Sequence, residues 1–348
     1  FDVEDLYREK FDPAKGRYEF HGQMEQARLE RDFIRVKGSN PVQQDVWVTR
    51  HGPIIFANNG EYYALRWAAA EAPFSFPFLD IDRAENWQEF TAALARFPGP
   101  AQNFVYADVD GNIGYHAAGY LPIRKNYMGD VPVDGSSGDY EWDGYIPFDQ
   151  LPLSYNPPSG LIVTANQNPF PPGYPQRVNG DFAPPDRARQ IRALLTAHGG
   201  WKPQDMLAIE TDVYSAFSRF LAQQTVAAYD RKKESNRDLG PAIDLLRGWN
   251  GQMQKGTAAP MVAALLYLQL RQAVGDKAAP GVGHQYDYQM APAALERLLR
   301  TRPADWFPDF DQLLLRCLSG AIAEGEKSQG SNLKRWDYGV YNQLTIPH

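Results

Sequence analysis

The sequence predicts an α+β fold, with a β-rich first half followed by a mainly helical block. Three observations carry that reading. Short alternating apolar runs, separated by turn residues, continue to about residue 165. Apolar spacing then changes to three and four residues near Asp186. Finally, 29 Gly and 27 Pro argue for short elements joined by turns and against one long bundle. A length of 348 residues suggests roughly two domains, with ample material for a core.

The elements follow in order. Asp45-Val46-Trp47-Val48-Thr49-Arg50 alternates, with Val46, Val48 and Arg50 on one side, and reads as a strand. Gly52-Pro53 turns the chain into Ile54-Ile55-Phe56. Asn58-Asn59-Gly60 turns it again into Tyr62-Tyr63-Ala64-Leu65-Arg66-Trp67, giving a meander. Residues 86–97 predict a helix: Asn86 can cap it, Glu89 stands three places on, and Trp87, Phe90, Leu94 and Phe97 share a face. Asp110-Gly111 between two alternating runs predicts a hairpin over 104–116. The acids there lack the third position and distal Glu of an EF-hand loop, so the turn reading is preferred.

A proline- and aromatic-rich stretch runs from Trp142 to Gly160, and Leu161-Ile162-Val163-Thr164-Ala165 reads as a further strand. Helical patterns begin at Arg187–Ala197 and continue through Phe217–Leu221, Ile243–Leu246, Ala258–Leu270, Ala293–Leu299 and Leu313–Ile322. Gly251, Gly256 and Gly275 punctuate them. Trp336-Asp337-Tyr338-Gly339 and Leu344-Thr345-Ile346 look extended again, so the helical block reads as an insertion into a sheet fold.

Charge and composition narrow the function. The net charge of −7 makes a poor polyanion binder, which sets nucleic acid aside. Arg231-Lys232-Lys233 is followed at once by Glu234 and reads as a solvated helix end or loop. No apolar run is long enough for a membrane span. The single cysteine, Cys317, lies in an apolar run and reads as a small buried hydrophobe. The six histidines show no zinc spacing, and neither a G-x-S-x-G elbow, a P-loop nor a dinucleotide fingerprint is present.

A set of segments in order carries more. They are Asp2-Val3-Glu4-Asp5-Leu6-Tyr7 with Glu9-Lys10-Phe11, Thr49-Arg50-His51-Gly52-Pro53-Ile54, Asn86-Trp87-Gln88-Glu89-Phe90, and Asn103-Phe104-Val105-Tyr106-Ala107-Asp108 with Gly111-Asn112-Ile113-Gly114-Tyr115. Further on come Trp142-Asp143-Gly144-Tyr145-Ile146-Pro147-Phe148, Asn156-Pro157-Pro158-Ser159-Gly160, Thr164-Ala165-Asn166-Gln167 and Asp186-Arg187-Ala188-Arg189-Gln190-Ile191. Together these resemble the penicillin acylase (penicillin amidase) family of N-terminal-nucleophile hydrolases. Trp249-Asn250-Gly251 before an Ala-rich helix is similar to the family too.

The resemblance implies a partial αββα sandwich with a small β-rich subdomain (1–72), a core segment (73–186 with 333–348) and an α-helical insertion (187–332). It implies hydrolysis of N-acyl amides by the hydroxyl of an N-terminal serine, with the serine's own α-amine as base. Asn166 matches the side-chain donor of the oxyanion hole, and Arg187 the arginine that orients it. Phe78 and Gln102 fall at acyl-pocket positions, where Gln102 departs from an aliphatic residue. Asp2, the Glu4 carbonyl and Asp5 match ligands of a structural calcium. Asp181 matches a third carboxylate, at a spacing from Tyr174-Pro175 that differs from the family pattern. From the residues alone, other readings stand beside these: Asn166 as a strand terminator, Arg187 as a helix-start partner of Asp186, the N-terminal acids as solvated, and Phe78 as core.

Phe1 has neither hydroxyl nor thiol, so the nucleophile is expected upstream, together with an α chain and the start of the β chain. The chain is then an internal fragment, inactive alone, from a periplasmic or secreted enzyme. The competing expectation is a non-catalytic module that binds carbohydrate or peptide through Trp142, Tyr145 and Tyr155.

Overall fold

The structure is a computed structural model that describes residues 1–71, 75–232, 237–285, 292–344 and 346. It divides into two compact units, Phe1–Pro185 and Asp186–His348, each described by itself.

The first unit opens with β1 (Glu4–Glu9), β2 (Phe11–Asp12), β3 (Arg17–Phe20), β4 (Gln23–Gln26) and β5 (Arg28–Ile34). The expected meander follows as β6 (Val42–Thr49), β7 (Gly52–Asn58) and β8 (Glu61–Trp67). After α1 (Ala68–Glu71), α2 (Phe78–Arg83) and α3 (Trp87–Leu94) come β9 (Gln102–Ala107), β10 (Ile113–Ala118), β11 (Pro122–Arg124), β12 (Val133–Asp134), β13 (Trp142–Tyr145) and β14 (Leu153–Tyr155). The main sheet has the order β12-β1-β8-β7-β6-β5. β1 is thus interior, pairing antiparallel with β8 (Leu6 opposite Leu65) and parallel with β12 (Tyr7 opposite Val133).

Local chemistry explains the turns. Gly52 opens β7 at φ +118, and a Cβ there would lie 2.1 Å from the Leu65 carbonyl oxygen, so only glycine lets β7 pass β8. The Asn86 side chain accepts the Glu89 N–H, while Glu89 accepts from the Glu85 N–H and the Asn86 amide, which starts α3 as expected. In the β9–β10 hairpin the Asp108 carboxylate accepts the Asp110 and Asn112 N–H groups and the Tyr106 hydroxyl. Its oxygens thus close the turn; the Asn112 side-chain amide, at 2.8 Å, and these bonds hold it below the usual carboxylate range even though burial pushes the other way.

Alternation along β1 turns Asp5, Tyr7 and Glu9 to the interior. Glu9 accepts from the Thr49 hydroxyl at 2.7 Å and lies 2.9 Å from His51 Nδ1. His51 Nε2 lies 2.8 Å from Glu141, which Arg66 also binds at 3.1 Å. The imidazole stacks on Tyr7 at 3.9 Å, with the Phe20 ring edge-on and Arg50 over the Phe20 ring at 3.5 Å. Burial opposes charging His51, but the bonds to Glu141 and Glu9 outweigh it and raise its affinity for protons. Burial likewise opposes charging Glu141, yet His51, Arg66 and Arg50 hold it below its ordinary value.

The second unit is helical: α4 (Asp186–Thr196), α5 (Pro203–Glu210), α6 (Ala216–Lys232), α7 (Gly240–Gly248), α8 (Ala259–Ala278), α9 (Pro292–Thr301), α10 (Phe310–Gln329) and α11 (Tyr338–Tyr341). Its core is mainly aliphatic, with Leu221, Leu246, Met261, Leu266, Leu314 and Leu318 among the residues fully enclosed. Arg231 forks onto Asp311, which also binds Arg302, and these two cations hold the Asp311 carboxyl down to about 2. Lys232 pairs with Asp309, so the basic cluster joins α6 to the start of α10; Lys233 and Glu234 lie outside the described residues. Cys317 is buried as expected, and burial pushes its thiol up to about 12.

Three expectations are corrected. Leu161–Ala165 is not a strand: it joins no ladder among the described residues, and the Gln167 side chain accepts the Ala165 N–H and donates to the Val163 carbonyl. Gly275 does not interrupt a helix; it is buried within α8. Trp336 follows a 3-10 turn and is buried among the helices. Asp337 then caps α11 by accepting the Gly339 N–H, which overrides the strand preference of Trp and Tyr. In Leu344-Thr345-Ile346, Thr345 lies outside the described residues.

Three outcomes test these contacts. The His51 contribution should be complete below its unfolded value of about 6.5 and disappear as pH rises through the higher folded value. Urea midpoints of wild type should therefore decline above that pH, and His51→Gln should lack this decline. At neutral pH, His51→Ala should cost about 3–5 kcal/mol by leaving buried carboxylates unpaired. Trp336→Ala should cost about 3–5 kcal/mol, measured by denaturant unfolding of the helical unit's signal.

Candidate active site

Asn166 lies in the loop after the Pro-rich stretch. Its φ is +64, a left-handed conformation that asparagine tolerates better than most residues. Its neighbours are braced rather than free: the Gln167 side chain accepts the Ala165 N–H at 2.6 Å and donates to the Val163 carbonyl at 3.1 Å. The Asn166 carbonyl accepts the Ala183 N–H at 2.8 Å, which ties the loop to the segment leading out of the first unit. The residue itself is exposed. A neutral amide donor on a pinned backbone is a suitable partner for a developing oxyanion.

Arg187 is the second residue of α4, in the other unit, and is exposed. Its neighbour Asp186 pairs with Arg189 at 3.4 Å, one helical turn on.

Phe78 begins α2 and is 49% exposed. Its ring stacks on Phe76 at 5.6 Å and leans on Phe97 at 5.8 Å, and Phe97 meets Phe104 edge-on at 5.1 Å. Gln102 starts β9 and is exposed, two residues from Phe104 and therefore on the same strand face. The result is an aromatic row, Phe76-Phe78-Phe97-Phe104, beside an amide side chain. A separate shallow depression of about 370 Å³ lies in the loop beyond Asn166, lined by Phe170, Tyr174 and Val178; neither Phe78 nor Gln102 lines it.

The acids expected to hold calcium are engaged otherwise. Asp5 accepts from Arg124 Nε at 2.8 and 3.1 Å, from the Tyr127 hydroxyl at 3.0 Å and from Trp142 Nε1 at 2.6 Å. Arg124 Nη2 reaches Asp2 Oδ2 at 3.1 Å and the carbonyls of Asp2 and Glu4 at 3.4 Å. Calcium needs roughly six to eight oxygens, but no group of three or more His, Cys, Asp or Glu side chains is arranged to hold a metal among the described residues. Asp181 is exposed and joins no such group. The residues present therefore fit a guanidinium and not a divalent ion.

The sequence reading assigned no role to Arg124, Glu9, His51 or Glu141. Glu9 and His51 fall inside the motif segments, and period-two alternation along Glu4–Glu9 is the signal that two of its acids turn inward. For Arg124 no local signal exists, because its partners lie about 120 residues away in the chain.

Comparison with known proteins places the whole chain. The family model described as Penicillin amidase matches residues 1–348. An acyl-homoserine lactone acylase of Pseudomonas fluorescens is 26% identical over 372 residues, covering 97% of this chain and 46% of that protein. A penicillin acylase 2 proenzyme of Pseudomonas sp. (strain SE83) is 32% identical over 262 residues, covering 74% of this chain and 34% of its own length. The chain thus spans less than half the length of these relatives. Among solved structures, a thermostable penicillin G acylase from Alcaligenes faecalis matches with a TM-score of 0.79 over 97% of this chain and 67% of its own, at 21% identity, which establishes a shared fold. No described helix is long and apolar enough to cross a membrane. With the family model matched from end to end, the chain belongs to the penicillin amidase family.

Proposed function

We propose that this chain is part of an N-terminal-nucleophile hydrolase that cleaves linear N-acyl amides, with Asn166 donating to the oxyanion. The observation that carries the reading is family membership across all 348 residues. The braced, left-handed placement of Asn166 suits the role.

In this reading the nucleophile is a serine outside Phe1–His348, at the start of a processed chain. Its hydroxyl oxygen bonds to the amide carbonyl carbon while its α-amine takes the proton. The Asn166 N–H groups stabilise the tetrahedral oxygen, which bears the new negative charge. Collapse breaks the C–N bond, and the amine leaves with the proton held by the base. Water then adds to the acyl ester, and collapse frees the acid and restores the hydroxyl. Arg187 is a positioning residue whose planar fork fixes its partners' orientation.

Both relatives are named for acylated amines, a penicillin and an acyl-homoserine lactone. The aromatic row of Phe76, Phe78 and Phe97 suits the acyl half of such a molecule, with Gln102 at its edge. The remaining partners are an α chain and the start of the β chain, and the location is the periplasm or cell exterior. The binding-module reading is not favoured: Trp142 is buried against Asp5, the Tyr145 hydroxyl is spent on Glu71, and the exposed Tyr155 ring stacks on Trp87.

Asn166→Ala in the whole natural protein should lower kcat on penicillin or acyl-homoserine lactone amides by about 10²–10³, with KM little changed. An unchanged kcat would remove Asn166 from the oxyanion hole. Arg187→Lys keeps the charge but loses the fork, and should lower kcat by roughly tenfold. The isolated Phe1–His348 chain should show no turnover of either amide, and turnover abolished by Asn166→Ala would overturn the external nucleophile.

A further inference from the structure

The N-terminal end of β1 holds a compact array of oxygens: both carboxylate oxygens of Asp5, one of Asp2, and the backbone carbonyls of Asp2 and Glu4. All five face one group, the Arg124 guanidinium at the end of β11. The Arg124 and Asp5 side chains are 1% and 2% exposed, so this is an interior ion pair. Tyr127 and Trp142 both donate to Asp5 Oδ2, the oxygen that also takes the shorter Arg124 bond. A carboxylate so enclosed must be compensated by charge and hydrogen bonds, and here both come from the chain itself.

The cradle is shaped for the arginine. Gly129 has φ +87, and a Cβ there would lie 2.7 Å from Arg124 Cζ and Nε and 2.7 Å from Asp2 Oδ2. A side chain at this position would collide with the fork and with the acid it binds, whereas glycine leaves both in place. The fork's donors are directed over several oxygens at hydrogen-bond range, about 2.8–3.4 Å. Calcium would need the same oxygens drawn in to roughly 2.3–2.6 Å, together with several more.

We propose that Arg124 is the resident cation of this oxygen cage, so that the protein anchors strand β1 without a calcium ion. Calcium and guanidinium compete for the same acceptors. The arginine is covalently part of the fold and pays no dilution cost, so it excludes the ion. The chain's stability is then indifferent to calcium, and the cage becomes metal-competent only when the guanidinium is removed. This stands apart from the catalytic reading, because it concerns strand anchoring and is read without substrate.

The test uses the whole natural protein. Its melting temperature should be the same in excess EGTA and in millimolar calcium chloride, and equilibrium dialysis should find no calcium retained at micromolar free ion. Terbium(III), which takes calcium-type oxygen sites and is sensitised by nearby indoles, should give no emission sensitised by Trp142. Arg124→Gln should lower the melting temperature by roughly 5–15 °C and gain sensitised terbium emission together with partial recovery by calcium. Arg124→Lys, which keeps one charge, should fall between wild type and Arg124→Gln. Stoichiometric calcium retention by wild type, or a melting temperature lowered by EGTA, would overturn the proposal whether or not the variants fold. So would an Arg124→Gln protein that melts with wild type.

Discussion

Strand β1 buries two carboxylates, Asp5 and Glu9, on either side of Tyr7, and much of the first unit answers that constraint. An ionised carboxylate away from water must find donors and positive charge. Asp5 finds them in Arg124, Tyr127 and Trp142; Glu9 finds them in Thr49 and His51. These partners come from β6, the β6–β7 turn, β11, the loop after β11 and β13. Satisfying one strand's interior face therefore gathers segments spread over more than a hundred residues. One Glu9 oxygen, Oε2, is enclosed without a hydrogen-bond partner among the described residues, so the arrangement is held at some electrostatic cost. The same face is apolar only at Tyr7, whose ring lies flat against the imidazole.

The two anchors differ in chemistry. Arginine stays charged across the accessible range, so the Asp5 end is a permanent tie. Histidine is the group that changes charge near neutrality, so the Glu9 end is conditional. Both ring nitrogens of His51 face carboxylate oxygens, an arrangement that suits the doubly protonated ring. Arg66 reinforces Glu141 from the far side and rests its guanidinium over Trp142, which links the conditional end to the permanent one.

Local signals in the sequence foretold much of the fold. Asn86 with Glu89, Asp110-Gly111 between alternating runs, and the Asn59-Gly60 turn each specify their element through contacts a few residues apart, and the structure contains all three. The change to helix near Asp186 was equally plain, since apolar periodicity is a local property. Trp336 was misread because its composition favours a strand, while its environment is set by helices distant in sequence and by the Asp337 cap. Leu161–Ala165 has strand composition, but a strand is defined by ladder pairing, which composition alone does not specify. At the candidate site, Asn166 was legible as a residue matched to a family motif; its left-handed backbone and its bracing by Gln167 emerged only in three dimensions.

The solitary thiol of Cys317 has a practical consequence. It lies in α10, enclosed by the helical core and held almost wholly in its unreactive protonated form. A maleimide or disulfide dye can therefore reach it only when that helix loosens from its neighbours. With no second sulfhydryl in these 348 residues to confuse the signal, labelling kinetics give the opening frequency of the helical layer directly.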